Sequence, residues 1–481
     1  MFDAIVIGSG FGGLHCAALL AGAGRKVLVV EKMSHPGGTG YVFFREGYGF
    51  PMGPLSFSSP QWVQDRLDNL GVGAGITYRR NHFQLRSPSL DIVYSVPLDE
   101  LRQELKEHFP AEKGIDSFFE ELGSAVGLVR KRDFLASTEA ARLARVSSAD
   151  VICSGISDRR LRNLLGTMGT TPPTMSMLNL AVMWNAMSVE GIWFPSCGIH
   201  GILERLAGAF TAAGGELRLG AGAEEILVQG GRARGVRLTS GEEIRARWVV
   251  SNADYKKTFH ELVGERKIPA PFRASLEQAA CTTSEVCVYL GVDPLRVETG
   301  ALRATHLFFQ EREDGPEEEE DENFGGRQIE VCRWSDNAPD LTPPGRASYV
   351  LRVSFPYERV APFRTGEKKR GAGYEGYKRG LSRRLVATAA AALPGLDEAV
   401  EVMESATPLT YADWGCRYRG SIAGWSWRAD DILGLGEGFL VRTPVEGLLM
   451  TGIYAASGLF LGGVPTAMQT GAAAADVVLG D

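Results

Sequence analysis

"DAIVIGSGFGGLHCAALLAGAGRKVLVVEK", residues Asp3–Lys32, is the stretch on which the fold turns. Ala4, Ile5, Val6 and Ile7 form an unbroken apolar run, the pattern of a strand covered on both faces. Gly8, Gly10 and Gly13 then spell G-x-G-x-x-G, with Phe11 and Gly12 inside it. Gly8 permits a sharp turn, Gly10 lets the backbone approach a pyrophosphate, and Gly13 removes a side chain where helix meets strand. Leu14, Ala17, Ala18 and Ala21 give the following helix its sheet-facing stripe, and Gly22 and Gly24 end it. The helix N-terminus offers free N–H groups and partial positive charge to phosphates. "KVLVVEK" is the second strand, with Glu31 at its end, 18 residues beyond Gly13, and Lys32 after it. A carboxylate there accepts hydrogen bonds from an adenosine ribose and repels a 2′-phosphate. Strand, helix, strand and acid in register predict an adenine-dinucleotide site rather than a chance glycine-rich turn.

The totals narrow the class. The 481-residue chain has a net charge of -7, with 23% charged and 44% hydrophobic residues. That is a globular composition, long enough for two or three domains and a large core without disulfides. Net acidity argues against a nucleic-acid binder, which carries a basic face. Glycine, at 59 residues, is well above the average of about 7% and implies many tight turns. Seven cysteines form no C-x-x-C pair and read as free thiols of a reducing compartment. Seven histidines lack ligand spacing, so no metal is expected. No signal segment is expected ahead of the first strand, which points to the cytoplasm.

"MSHPGGTGYVFFREGYGFPMGP" (Met33–Pro54), "WFPSCGIHG" (Trp193–Gly201) and "LLMTGIYAASGLFLGGVPTAMQTG" (Leu448–Gly471) follow in that order. With the opening motif they resemble the flavin-dependent amine oxidase superfamily, and most closely its phytoene desaturases, carotenoid isomerases and retinol saturases. The resemblance implies FAD in an α/β fold, a discontinuous Rossmann-type domain joined to a mixed sheet-plus-helix substrate domain. It assigns 1–75, 190–260 and 435–481 to FAD, and 76–189 and 261–434 to the substrate, with candidate membrane-facing helices. It implies cofactor contacts at Gly8, Gly10, Phe11, Gly12, Gly13, Glu31 and Lys32 in the opening motif, and at Gly38, Thr39, Gly53, Pro54, Ala223, Asn252, Gly452, Gly462, Gly463 and Val464 beyond it. Three positions depart from the family's pattern. Pro51 stands where an Asp is common, Cys197-Gly198 replaces a paired glycine, and Ile453 follows Gly452 in place of an acid.

Elsewhere the residues speak for themselves. Ile199, Ile202, Leu203, Leu206 and Phe210 predict one apolar helix face, ended by Gly214-Gly215. Ser59 is a candidate N-cap for a helix starting at Pro60. Two helices are expected on either side of Pro110, and another over "GYEGYKRGLSRRLVATAAAALPG". The uncharged stretch from Asn163 to Val189, which contains Pro172 and Pro173, reads as buried core or cavity rather than a membrane span. The acidic block from Glu311 reads as a surface loop. Arginines between 124 and 165 suit either a solvated face or a membrane surface.

No acidic or basic catalytic cluster stands out in any motif, which hydride chemistry on carbon tolerates. Trp184, Trp193 and Phe194, and a cluster of Trp414, Trp425 and Trp427, are candidates for an apolar substrate channel, against the plainer reading of core. Arg417 and Arg419 are candidates to hold a polar head group or a flavin oxygen. With one G-x-G-x-x-G unit, electrons are expected to pass to a quinone, dioxygen or another protein. The expected reaction is desaturation, saturation or isomerisation of C–C bonds in a lipophilic isoprenoid or polyene, with peripheral contact at the inner membrane face. Amine oxidation and a cofactor-free prenyl-lipid escort role are the alternatives. The missing Trp–Glu neighbourhood in the C-terminal motif speaks against the first, and the full phosphate motif against the second.

Overall fold

The strand over Phe2–Ile7 lies at the centre of the first of two seven-stranded sheets. The computed structural model describes residues 1–131, 134, 137–167, 175–313, 322–428, 440–456 and 463–481. Gly462, Pro172, Pro173 and residues 314–321 of the acidic block fall outside the described residues.

Phe2–Ile7 pairs in parallel with Val27–Val30 on one side and with Glu243–Ser251 on the other. Glu216–Arg218 extends the parallel set beyond Val27–Val30, and Leu448–Met450 extends it beyond the end of Glu243–Ser251. Parallel neighbours need a crossover, which the helix Phe11–Gly22 supplies between the first two strands. Both faces are covered, so Ala4–Val6 and Val27–Val30 are essentially inaccessible and the run needs no polar alternation. Ala223–Gln229 and Arg232–Leu238 add an antiparallel meander, turned at Gly230-Gly231, where both φ values are positive. Every strand of this sheet falls within 1–75, 190–260 and 435–481.

The helices Phe11–Gly22, Gly198–Ala212 and Gly463–Leu479 pack together against this sheet. The apolar face at Ile199, Ile202, Leu203, Leu206 and Phe210 is buried as the periodicity requires. The first and last helices approach at glycines. A Cβ on Gly12 would lie 2.6 Å from Thr451 Oγ1 and 2.8 Å from Ala467 O, and one on Gly471 would strike Gly12 O. Buried His15 donates from Nδ1 to Met468 O at 2.7 Å, since a carbonyl can only accept, which leaves Nε2 without a partner among the described residues. Burial pushes its pKa down to about 4, against the opposing pull of that bond.

The second sheet runs in the order Val400–Ala406, Ser284–Val292, Ala347–Phe355, Ile329–Arg333, His306–Phe309, Phe83–Ser87, Leu90–Val93. All pairs are antiparallel except His306–Phe309 with Phe83–Ser87. Alternation divides its faces. Val286, Val288, Leu290, Leu351 and Val353 pack with the helix Tyr374–Ala392. Cys287, Tyr289, Cys332 and Val350 face the opposite way, onto Tyr48, Phe50 and the first helix's Phe11. A third core gathers the helices Leu98–His108, Ile115–Val129 and Met177–Trp184, the first two broken around Pro110 as expected.

Ser59 corrects an expectation. It sits before the helix Pro60–Asn69 but in left-handed backbone (φ 56), and its hydroxyl donates to Glu190 at 3.0 Å rather than accepting from the first turn.

Candidate active site

Main chain builds the first half of the site. Gly8 turns out of the strand at φ +92, and a Cβ on Gly13 would collide with Gly8 O. A Cβ on Gly10 would lie 2.7 Å from the Asn252 amide, which follows Ser251 at the end of the neighbouring strand. Gly10 N-caps the helix without a side-chain acceptor, so the first-turn N–H groups stay available for an anion. Asn252 N donates to Ile7 O at 2.8 Å. Its side chain lies between Gly10 and Gly452 (φ +90), and Gly452 N donates to Thr470 Oγ1 at 2.9 Å. The glycine loop, Asn252 and the C-terminal strand end therefore converge.

Glu31 is 6% exposed. Its Oε2 accepts from Ser9 N at 2.9 Å and Ser9 Oγ at 2.8 Å, and Oε1 accepts from Met33 N at 2.9 Å. The acid thus braces the glycine loop, at the position where a bound ribose would meet it. Ala221 N donates to Glu31 O at 2.8 Å, bringing the start of the Ala223–Gln229 strand alongside. Gly37 N donates to Ser9 O at 3.0 Å, which clamps the second glycine turn onto the first. A Cβ on Gly38 would lie 3.5 Å from Gly10 Cα, and one on Gly53, just before Pro54, 2.5 Å from Thr39 O. Gly463 opens the last helix, and Val464 behind it is buried beside Phe11.

Several expected contacts go elsewhere. The Lys32 amine turns to Asp413 O at 3.4 Å and to Cys416, because the Glu31 position already faces the crevice. Phe11 packs on Leu203 beside Gly40, and Gly12 serves helix packing, so both shape the cradle from behind. The expected aromatic clusters come apart. Trp184 is sealed in the helical core with Nε1 bonded to Leu165 O at 2.9 Å. Trp425 lies in the first sheet's core with Nε1 bonded to Tyr454 O at 2.9 Å. Trp427 packs beside the helical core, and Trp414 is 46% exposed under Lys368. Trp193 is partly exposed, with Nε1 donating to Glu190 O. Phe194 alone packs where a channel is expected, edge-on to Trp334 at 5.4 Å, whose Nε1 donates to Gly49 O. Arg419 pairs with Glu358 in solvent, whereas Arg417 donates to Thr39 Oγ1 at 3.1 Å.

Side chains build the second half, and here a charged cluster does exist. On the face of the second sheet turned to residues 41–58, Arg352 lies opposite Cys287 on one strand and Glu330 on the other. Its Nη2 donates to Gly53 O, and its Nε lies 3.8 Å from Glu285 Oε1. Glu285 also accepts from Tyr411 OH, Glu330 pairs with His306 Nδ1 at 2.7 Å, and His306 Nε2 meets Asn81 at 3.3 Å. Burial alone would lower His306 and raise Glu330. Cys332 at the ring and then the Glu330 carboxylate outweigh burial and raise His306, while the His306 contact lowers Glu330. Burial likewise opposes the charge on Arg352, but Glu285, Cys287 and Glu330 around it keep its pKa raised. The signal was present in sequence as a charged residue inside each largely apolar strand: Glu285 in "SEVCVYLGV", Glu330 in "IEVCR" and Arg352 in "ASYVLRVSF".

The profile of the family described as flavin containing amine oxidoreductase matches residues 11–354. The chain belongs to that family. An all-trans-retinol 13,14-reductase from Danio rerio is 27% identical over an alignment 515 positions long, spanning 94% of this chain and 82% of the relative. A lycopene-forming phytoene desaturase from Pseudescherichia vulneris is 28% identical over 404, spanning 75% and 78%. A putrescine oxidase structure superposes with a TM-score of 0.70 at 16% identity, over 100% of this chain and 99% of that one, which supports the shared fold.

As a flavin amine oxidoreductase family member the protein takes FAD, and its crevice fits that group on its own geometry. The positions where a Cβ would intrude are glycine, the helix N-terminus is uncapped, and an acid stands at the ribose position. When bound, FAD supplies two-electron oxidation and reduction. The chain's own residues would hold the diphosphate on backbone at Gly8–Gly13, would receive the ribose at Glu31, and would close the crevice with Thr39, Gly53 and the helix Gly463–Leu479.

Proposed function

We propose that this FAD-dependent oxidoreductase acts on C–C bonds of a lipophilic isoprenoid or polyene, with desaturation as the leading direction. The observation that carries this reading is the face of the second sheet against residues 41–58. There Phe43, Phe50 and Tyr289 pack ring to ring, with centroids 5.1–5.7 Å apart, beside Phe194 and Trp334. Phe50, Tyr289, Phe194 and Trp334 are buried in that packing, so the wall beside the cradle is apolar and offers little to a small cation beyond the buried charges already paired. The two curated relatives, a retinol reductase and a phytoene desaturase, support the same substrate class. A quinone or dioxygen is the proposed electron acceptor. Peripheral contact with a membrane, where such substrates dissolve, is part of the proposal. No helix among the described residues is long and apolar enough to cross one.

The test is anaerobic incubation of the yellow protein with polyenes and with more saturated isoprenoids, following flavin bleaching and product mass. Bleaching by an isoprenoid, with a product lacking two hydrogens, is the expected result. A response to small amines with none to isoprenoids overturns the proposal in favour of amine oxidation. A colourless protein that takes up no FAD would instead favour the escort reading.

A further inference from the structure

Tyr411, Glu285, Arg352, Glu330, His306 and Asn81 form a row across the second sheet, each touching or facing the next. Buried charges in a sheet interior cost several kcal/mol each in desolvation, and apolar residues of similar volume often serve stability better. Glu285 keeps 9% of its side chain exposed, Glu330 16% and Arg352 18%. Of this row, Arg352 is the member bonded to the cofactor cradle, at Gly53 O. Gly53 lies against Thr39, the residue after Gly38, which faces Gly10. A dinucleotide with its adenosine at Glu31 and its diphosphate on the glycine loop would run its ribityl chain and ring past Gly10 and Gly38, toward the side where Arg352 stands. Its Nε is buried without a hydrogen-bond acceptor among the described residues, so the Gly53 bond and the charge of Glu285 at 3.8 Å hold the guanidinium.

We propose that Arg352 is the fixed positive charge that favours the electron-rich, reduced state of the bound flavin, with Glu285 and Glu330 on either side setting its position and damping its field. This rests on the FAD reading above. Charge beside the ring is one of the few levers a protein has on flavin electronics. A cation in a water-poor site acts on it more strongly than one in solvent.

The experiment uses the full FAD-loaded chain and reads the cofactor rather than turnover. Midpoint potential and sulfite affinity are measured for the wild type, Arg352→Gln and Glu285→Gln. For Arg352→Gln the reduced-to-oxidised affinity ratio should fall roughly tenfold, equivalent to a potential about 30 mV lower, with weaker sulfite binding. Glu285→Gln, which keeps an oxygen for the Tyr411 hydroxyl, should shift both readouts the opposite way. Because that variant is nearly isosteric, it decides the matter even where Arg352→Gln fails to fold. Shifts of the same sign in both variants, or an unchanged Glu285→Gln, overturn the proposal. A wild-type chain that takes up no FAD overturns the cofactor reading and this proposal with it, whereas FAD uptake with unchanged potentials overturns only the role of Arg352.

Discussion

In the cofactor crevice the main chain makes the surface. Gly10, Gly13 and Gly53 are small because backbone or a neighbouring amide occupies the space a Cβ would need, and Gly8 because its φ of +92 suits no side chain. On the facing sheet the side chains of Glu285, Arg352, Glu330 and His306 make the surface, each brought in by a different strand. A site made of backbone tolerates no added atom, whereas one made of paired charges tolerates changes that keep charge and shape. The two halves should fail differently when altered.

The largest effect is expected on the backbone side. Gly13→Val drives a branched side chain into Gly8 O, which the loop cannot yield without losing its turn, and should cost about 3 kcal/mol or more. FAD content after purification and a thermal melt would check it, and a stable yellow variant would break the distinction just drawn.

His15 should come next. The folded state holds its pKa near 4 while the unfolded chain has the ordinary 6.5, so between those values the unfolded state binds more protons. Stability is full above pH 6.5 and falls by about 3 kcal/mol as pH drops to 4. Denaturant titrations of wild type and His15→Gln across that range should differ by this slope. Parallel curves would mean that the seam between first and last helices holds without it.

Glu31→Gln sharpens the comparison, since Glu31 is a side chain serving the backbone half. Losing charge-assisted bonds to Ser9 and to ribose should weaken FAD by about 2 kcal/mol, read by titrating apoprotein with FAD. Trp184→Phe should be smallest, about 1 kcal/mol of stability from the orphaned Leu165 carbonyl, with FAD affinity unchanged. A change in flavin spectrum there would restore Trp184 to a channel.

The same contrast explains what could be read from sequence. Backbone constraints leave glycines at set intervals, so the strand, turn, helix and acid from Ala4 to Glu31 were legible in one line. The charged row was not, because its strands are contiguous only after folding. Glu285, Glu330 and Arg352 lie far apart in the chain, and each reads alone as an oddity in an apolar run. Tryptophan spacing misled for the opposite reason. Trp414, Trp425 and Trp427 are close in sequence, but the chain between them passes from solvent through one core to the edge of another.

The seam between Gly12 and Gly471 sets an order on assembly. The strand Phe2–Ile7 and its glycine turn are synthesised well before the helix Gly463–Leu479, which forms the wall behind them. Until that helix follows, a nascent chain holds only a half-open cradle. Secure capture of the flavin must wait until the closing helix is released.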